Sequence, residues 1–194
     1  DCNSDIKNNG ESLVLKNIAR FSNKKSLVID IGCNKGYWSK VLSEHFQSGI
    51  ILCIDINQKN IKAAKKTLGS ISNLEFNFLR KAISDKNGTT EYFENINFKD
   101  SSKDSLYNFD NIGYRNKTKT SIVETIKLED LIKSGKYKGL NILYTKVDVE
   151  GNELAVMKGS RNLFKESKFE FFQFEFGHAA RAPRVYMHDL VNFI

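Results

Sequence analysis

One short stretch, residues 27–39 with the sequence LVIDIGCNKGYWS, constrains the fold of this chain more than any other. An apolar run ends at an acidic residue, and two glycines separate it from a helical pattern, an order that predicts a buried strand, a tight turn and a helix start. Glycine in such a turn lets the backbone come close to a ligand, and the helix N-terminus offers unpaired N–H groups. The stretch therefore predicts an α/β fold with a ligand at this turn, against the alternative of a purely structural glycine turn.

The spacing of the glycines indicates which ligand is bound. A dinucleotide site needs G-x-G-x-x-G so that a pyrophosphate can sit on the helix N-terminus. Here Asn34 and Lys35 lie between Gly32 and Gly36, so a side chain stands where that pattern has its second glycine. The loop is thus better suited to a ligand without phosphate, such as S-adenosylmethionine, and a nicotinamide oxidoreductase is disfavoured.

A second apolar run, residues 50–55, ends at Asp55 about 20 residues further on. An α/β nucleoside site carries at this place the carboxylate that accepts the ribose hydroxyls. The alternative is an acid at a helix N-terminus, because Asn57 opens a helical pattern directly afterwards. The two interpretations are compatible.

Composition limits the protein class. With 194 residues, 40% hydrophobic and 27% charged, the chain predicts one globular domain over residues 1–194, with a helical lead-in and a core from residue 26. No apolar run is long enough for a membrane span. Cys2, Cys33 and Cys53 form no framework, and reduced thiols predict a cytoplasmic protein. The first residue, Asp1, indicates that the sequence does not begin at the natural start.

The net charge of +7 comes from lysines that are spread along the chain and rarely alternate with aromatic residues. Solvated lysine-rich faces are the favoured explanation, and an anionic substrate or a membrane surface is the alternative. The pattern disfavours dedicated nucleic-acid binding. Nothing in the sequence determines the oligomeric state.

Strands and helices alternate in most of the chain, which predicts a mainly parallel sheet with helices on both faces. The predicted elements are a helix over 11–22, a strand over 26–31, a helix over 36–46, a strand over 50–55, a helix over 58–68 closed by Gly69, a strand over 74–79, and later a strand over 142–149, a helix over 152–165, a strand over 169–176 and a last helix over 186–194. The absence of the antiparallel C-terminal hairpin usual in this fold predicts that the sequence is truncated.

Residues 80–126 depart from this alternation and predict a β-rich insertion. A hairpin-type turn at 85–88 leads into an outgoing strand over 89–93. Residues 95–118 are polar and predict a surface loop of low order, after which a strand over 120–126 and a helix over 128–134 follow. Insertions of this kind commonly carry substrate contacts.

Charged residues gather at the ends of the later strands. Strict alternation puts residues 142, 144, 146, 148 and 150 on one face of their strand, and residues 169, 171, 173 and 175 on one face of the next. Ligands of open α/β sheets bind at the carboxyl ends of the strands. Four residues are therefore predicted to converge with Asp30 and Asp55 on one cleft and to supply the catalytic base: Asp148, Glu150, Glu175 and His178.

Each of these residues also has a plainer explanation. Lys146 is a candidate substrate-binding residue. The alternative is that it pairs with Asp148 or another carboxylate as a buried ion pair. In the alternative for Glu150, this residue only shapes a turn. In the alternative for His178, the histidine simply lies on a surface loop. The acids could hold Mg²⁺, but the spacing does not demand a metal, so we expect none.

The ordered set of motifs resembles the FkbM family of S-adenosylmethionine-dependent methyltransferases. The segments that carry the resemblance are DIGCNKGY at 30–37, AISDKNG at 82–88, TIKLEDL at 125–131, KVDVEGNEL at 146–154, MKG at 157–159 and FEFG at 174–177. The resemblance implies a Rossmann-like class I methyltransferase, usually acting on a hydroxyl oxygen of a sugar or related natural product. It also implies the residues that contact the cofactor, with Asp55 at the ribose and 82–84 at the adenine: Asp30, Gly32, Asn34, Gly36, Tyr37, Asp55, Ile56, Ala82, Ile83 and Ser84.

The expected acceptor is a small molecule or glycan. Arg181 and Arg184 lie close to His178, and arginine binds phosphate or carboxylate in a bidentate way. We therefore expect one of them to contact an anionic part of the acceptor, against the alternative that it pairs with an acid of the cleft. The competing functions are an RNA or protein methyltransferase and a cofactor-binding module without turnover.

Overall fold

The computed structural model describes residues 5–96, 103–113 and 117–194. The eight strands are β1 Ser26–Ile31, β2 Ile50–Asp55, β3 Glu75–Arg80, β4 Ala82–Ile83, β5 Gly88–Asn95, β6 Thr118–Ile126, β7 Asn141–Val147 and β8 Phe169–Phe174. Five of them form a parallel sheet in the order β3-β2-β1-β7-β8. The predicted parallel sheet is confirmed, and its order reverses at β1, where such folds bind ligands.

Helices cover both faces of this sheet, as predicted. They are α1 Glu11–Ala19, α2 Tyr37–Ser43, α3 Gln58–Leu68, α4 Leu128–Lys133, α5 Glu153–Lys158, α6 Arg161–Lys165 and α7 Met187–Val191, with 3-10 turns at Phe109–Ile112, Gly135–Tyr137 and His178–Arg181. The first three helices pack with one face of the sheet in one apolar cluster, and α4 to α6 pack in a second cluster on the other face. No helix in the described ranges is both long enough and apolar enough to cross a membrane.

The insertion forms a second, three-stranded sheet in the order β4-β6-β5. β5 runs antiparallel to β6, and β4 runs parallel to it. A hairpin-type turn was predicted at 85–88. In the structure this turn does not close a hairpin between the strands on either side of it. Both strands pair with β6, which lies 30 residues further on and whose partner could not be read from local turn chemistry.

Part of the predicted surface loop is structured. Of residues 95–118, Asp104, Ser105 and Phe109 are buried, and Ser105 pairs with Phe93 of β5. The prediction of a loop of low order is wrong for this part, because the buried polar groups find specific partners inside the fold. Residues 97–102 and 114–116 of that prediction lie outside the described residues.

A register shift corrects the predicted face pattern of β7. Between β1 and β7 the pairing moves by one residue after Leu27, which is a β-bulge. Ile142 consequently packs in the second cluster, whereas Tyr144 packs in the first. The two were predicted to share a face. Strict alternation failed here because the bulge inserts one extra residue into the strand.

Several predicted helix ends differ from the structure. The predicted helix over 152–165 is broken into α5 and α6 at Gly159, and Glu129 N donates a hydrogen bond to the Gly159 carbonyl at 3.1 Å. Gly69 follows α3 in right-handed conformation and makes no left-handed cap. Pro183 lies in the turn ahead of α7, four residues before its first residue rather than at its start.

Close packing explains why the residue between α5 and α6 is a glycine. A Cβ atom at this position would lie 2.0 Å from the carbonyl oxygen of Ser84. Because the φ angle at Gly159 is an ordinary −74°, backbone strain does not contribute. A glycine is needed here because the helix end packs directly on the backbone that follows β4.

We expect Gly159→Ala to lower the free energy of unfolding by about 1–3 kcal/mol or more, as overpacking does. Urea denaturation at constant m-value measures it. Gly177→Ala is the matched control, because a Cβ there meets nothing within 4 Å. Equal stability of the two variants would contradict the close contact with Ser84.

Candidate functional site

Two adjoining cavities open at the carboxyl ends of β1, β2, β7 and β8. The first cavity, of about 460 Å³, is bounded mainly by residues 31–34, 54–56, 81–83, 103–106 and 148–152. The second cavity, of about 590 Å³, is bounded mainly by residues 6–11, 30–38, 146–148 and 173–176. They share Gly32, Asn34, Asp148 and Glu175. A group bound in one cavity can therefore meet a group bound in the other at these four residues.

The turn after β1 packs against the end of β7. Gly32 has a φ of 87°, and a Cβ there would lie 1.7 Å from the Asp148 carbonyl oxygen. The N–H groups of Gly32 and Cys33 both donate to the carbonyl of Ile54 at the end of β2. Only glycine fits at position 32, because the φ angle is in the left-handed region and because there is no space for a side chain. The turn is thereby fixed between two strands, and its next residue, Asn34, lines both cavities.

Gly36 was expected to contact the cofactor, but the structure gives it another position. It lines neither cavity, and a Cβ there would lie 3.1–3.3 Å from Leu68 and Ala64 of α3. Its φ of 78° also places it in the left-handed region. Gly36 therefore allows α2 to begin close against α3. This is a packing role that the glycine spacing alone does not distinguish from ligand contact.

Asp55 lies in the first cavity and holds the turn in place. Its Oδ2 accepts from the Asn34 N–H at 2.9 Å, and its Oδ1 accepts from the Asn57 N–H at 2.8 Å and from Asn60 Nδ2 at 3.1 Å. A carboxylate offers about four lone-pair positions, so one remains, on Oδ2. Burial raises the pKa of Asp55 to about 6, against these hydrogen bonds. The predicted ribose contact is thus left one lone-pair position and stays a prediction, whereas the alternative of an acid at a helix N-terminus fits the bond from the Asn57 N–H just before α3.

The far wall of the first cavity is apolar. Ile56, Ala82 and Ile83 line it, and Asn152 Nδ2 donates to the Ile83 carbonyl at 2.9 Å. Ser84, predicted beside them, lines a separate cavity with residues 151–155. The end of β4 therefore presents two of the three predicted residues to the first cavity, held from behind by Asn152.

A row of charged groups crosses from the second cavity to the first. Lys146 Nζ donates to Asp148 Oδ2 at 2.7 Å, and Asp30 lies in register beside Lys146 on β1. Burial would lower the pKa of Lys146, but Asp148 and Asp30 outweigh it and raise that pKa. The ion pair that we weighed as an alternative for Lys146 is therefore present in the structure.

Asp148 and Glu175 form a hydrogen-bonded carboxyl pair. That bond, with the Asp148 charge, raises the pKa of Glu175 to about 8. For Asp148, burial acts to raise the pKa, but Lys146 and the bond with Glu175 hold it below its ordinary value. Glu175 therefore carries the shared proton at neutral pH and donates it to the Asp148 carboxylate. Two neighbouring carboxyl groups cannot both ionise easily, because each negative charge disfavours the other.

Glu150 stands on a strained loop at the first cavity. Its φ of 52° is in the left-handed region, which is uncommon for a residue with a side chain. Glu153 Oε1 accepts from the N–H groups of Val149 and Gly151 at 3.1 and 3.2 Å, and Ser105 Oγ donates to the Glu150 carbonyl at 2.7 Å. Burial, with the Asp148 charge, raises the pKa of Glu150 to about 7.

The remaining predicted residues are distributed differently. Asp30, Tyr37 and Lys146 line the second cavity, not the first. His178, Arg181 and Arg184 are exposed and line neither cavity. The 3-10 turn that carries His178 and Arg181 does approach the site, because a Cβ on Gly151 would lie 2.8 Å from the Ala179 carbonyl oxygen.

Four residues of the insertion were missed by the sequence reasoning. Lys81, Lys103, Asp104 and Leu106 line the first cavity. Asp104 is anchored there, since its Oδ2 accepts from Asn57 Nδ2 at 2.7 Å and its Oδ1 accepts from the Asn95 N–H at 2.9 Å. A polar segment without periodicity gave no signal for this. In the described part of the chain, no group of three His, Cys, Asp or Glu side chains is arranged to hold a metal ion.

Solved structures match all or part of this chain. Monomeric WbdD matches at 13% identity with a TM-score of 0.51, over 99% of this chain and 37% of that one. The YcgJ protein from Bacillus subtilis matches at 19% identity with a TM-score of 0.28, over 39% of this chain and 34% of that one. The chain thus spans little more than a third of the length of either structure. No curated protein matches.

A family assignment rests on sequence over most of the chain. Residues 30–194 match the methyltransferase FkbM domain, and the match includes the described residues that line the first cavity, whereas Ile6, Asn9 and Glu11 of the second cavity precede it. The expected resemblance and the Rossmann-like fold are both confirmed, and the family implies S-adenosylmethionine as methyl donor. The chain belongs to the FkbM methyltransferase family.

Proposed function

We propose that this protein transfers a methyl group from S-adenosylmethionine to a hydroxyl oxygen of a sugar, glycan or related small molecule. The observation that carries the proposal is the junction of the two cavities at Asp148 and Glu175. One cavity has the features of a nucleoside site, and the other offers separate space for an acceptor. A pair of carboxyl groups lies where the two ligands would meet.

The first cavity fits the nucleoside part of the donor. Asp55 keeps one lone-pair position for a ribose hydroxyl, and Ile56, Ala82 and Ile83 give the apolar surface that a purine ring needs. Gly32 lets the β1 turn lie directly against the Asp148 carbonyl, so Asn34 and Asp148 line the same cavity. A volume of about 460 Å³ lies within the usual range of small-molecule pockets.

The chain itself needs to supply two things. Bound S-adenosylmethionine supplies an electrophilic methyl group on a sulfonium, so the protein has to align the acceptor oxygen and accept its proton. The carboxyl pair is suited to take that proton once Glu175 is ionised. Lys146 keeps Asp148 charged and in place. Glu150 is the second candidate base, because its raised pKa of about 7 lies near neutral pH.

Binding and turnover test the proposal separately. Isothermal titration with S-adenosylmethionine measures donor binding, and release of S-adenosylhomocysteine over a panel of sugars and glycosides measures transfer. We expect both. Steeply salt-dependent binding of random RNA together with RNA methylation would favour a nucleic-acid substrate instead. Donor binding with no transfer to any panel member would favour the non-catalytic module.

We expect Asp55→Ala to weaken S-adenosylmethionine binding at least about tenfold, since a hydrogen bond to a charged group contributes about 1.5–3 kcal/mol. It should also lower the melting temperature, because the buried N–H groups of Asn34 and Asn57 lose their acceptor. Titration calorimetry and thermal denaturation measure the two effects. Asp110→Asn, at an exposed acid, is the control. Unchanged donor affinity would contradict the ribose contact.

We expect the turnover number to rise with pH up to about 8 and then level off. The raised pKa of Glu175, about 8, means that this carboxyl is protonated below that value and cannot accept a proton. Glu175→Gln should lower turnover about 10²-fold, a usual loss for a general base, and remove this limb of the profile. Glu170→Gln on the exposed side of β8 is the control. A limb near pH 7 that survives in Glu175→Gln would assign the base to Glu150.

A further inference from the structure

The second cavity shares the ends of β1, β7 and β8 with the first cavity but adds residues that the first cavity does not use. Its outer wall is the segment of Ile6, Asn9 and Glu11 at the start of α1, and Phe176 borders it from the chain after β8. At about 590 Å³ it has room for a small molecule, and it reaches the first cavity only at the four shared residues.

Two buried polar atoms at this cavity lack hydrogen-bond partners. They are Asp30 Oδ1 and Trp38 Nε1, and both side chains are buried, at 0% and 5% exposure. Buried polar atoms are nearly always paired, and these two belong to residues that line one cavity. The wall of this cavity thus carries one unsatisfied acceptor and one unsatisfied donor just beneath its surface.

Hydrogen bonds fix the position of the Glu11 carboxylate at the outer wall of the second cavity. Its Oε1 accepts from Gln173 Nε2 at 2.8 Å, and its Oε2 accepts from Asn9 Nδ2 at 2.9 Å. Gln173 in turn accepts a hydrogen bond from the Tyr144 hydroxyl, which orients its amide. Each carboxylate oxygen of Glu11 keeps a further lone-pair position, so the group can accept hydrogen bonds from a ligand.

The charge of the lining disfavours an anion. Among the described residues, the carboxyl groups at the second cavity are Glu11, Asp30, Asp148 and Glu175, and the ammonium groups are Lys35 and Lys146. Lys146 is bound to Asp148, and no guanidinium from residues 5–96, 103–113 or 117–194 lines the cavity. An anion entering here would lose hydration without gaining a bidentate partner, whereas hydroxyl groups would meet acceptors and amides.

Aromatic rings add apolar surface at the entrance. Tyr37 is 60% exposed and Phe176 is 40% exposed, and both border the cavity. Large apolar rings that stay open to solvent beside a polar cavity are suited to pack on the apolar face of a ligand ring. Hydroxyl partners inside and ring surfaces at the entrance together describe a hydroxylated ring.

We propose that the second cavity is the acceptor site and that it selects an uncharged, hydroxylated ring over its anionic counterpart, with Glu11 as a residue that determines this choice. The inference rests on the proposed methyl transfer and specifies its acceptor. It replaces the expectation of an anionic acceptor part held by Arg181 or Arg184, neither of which lines this cavity.

Trp38 provides a direct probe, because it is the only tryptophan in the chain and it lines the second cavity. The protein is saturated with S-adenosylhomocysteine and titrated with a panel of neutral methyl glycosides and with the uronate analogue of each. We expect neutral glycosides to change the Trp38 fluorescence and to bind at least about tenfold more tightly than the uronates, since one unfavourable charge contact of about 1.4 kcal/mol suffices.

Glu11→Gln tests the charge at nearly constant shape. We expect it to reduce the preference for neutral over uronate ligands at least about threefold, while the affinity for S-adenosylhomocysteine stays the same. Phe176→Ala is the second variant and should weaken neutral glycosides several-fold. Phe171→Ala is the matched control, because this exposed ring on β8 borders neither the first nor the second cavity.

Three results would overturn the inference. The first is that uronates bind as tightly as neutral glycosides. The second is that glycosides bind or react without changing Trp38 fluorescence. The third is that the Glu11→Gln and Phe176→Ala variants fold normally and keep the wild-type preference for neutral glycosides over uronates. If uronates bind and this binding is lost in Arg181→Ala, the hypothesis of an anionic acceptor would be supported instead. Sugar methylation without a Trp38 response rejects the acceptor site alone, whereas intact S-adenosylhomocysteine binding with no methylation of any panel member rejects the proposed function as well.

Discussion

The contact between the β1 turn and the end of β7 is the constraint on which the site depends. Any side chain at position 32 would occupy the place of the Asp148 carbonyl oxygen. Because the two backbones touch there, the turn that leads to Asn34 and the carboxylates that follow β7 are brought to the same place. Both cavities share residues from each side of this contact. The single glycine thus fixes the geometry between the first and the second cavity.

Electrostatics in this region depend on one buried cation. Lys146 lies between Asp30 and Asp148, and without it the fold would bury carboxylates with no counter-charge. Its charge separates the properties of two neighbouring acids, since Asp148 stays ionised while Glu175 retains a proton at neutral pH. Two chemically similar groups thereby take different states, a pattern that often marks acid and base assignments in active sites.

Sequence patterns predicted the parts of this protein that follow local rules. The apolar runs around Asp30 and Asp55 and the periodic helices after them are local, and they gave the parallel sheet and the first cavity. Three features were beyond them. The bulge in β7 changes which face Ile142 occupies, the partner of β5 is distant in sequence, and Asp104 reaches the cavity through bonds to Asn57 and Asn95. Gly36 shows a further limit, because a glycine required for packing looks the same in sequence as one required for a ligand.

The hydrogen bond from Ser105 Oγ to the Glu150 carbonyl couples two regions that otherwise have separate tasks. Ser105 is paired with Phe93, and Phe93 lies on β5, an edge strand of the small sheet. A shift of that sheet would therefore be transmitted to the backbone of Glu150, whose left-handed conformation has little freedom to adjust. The insertion supports the loop at the candidate site, so sequence changes within it are coupled to the position of Glu150, more than 40 residues away.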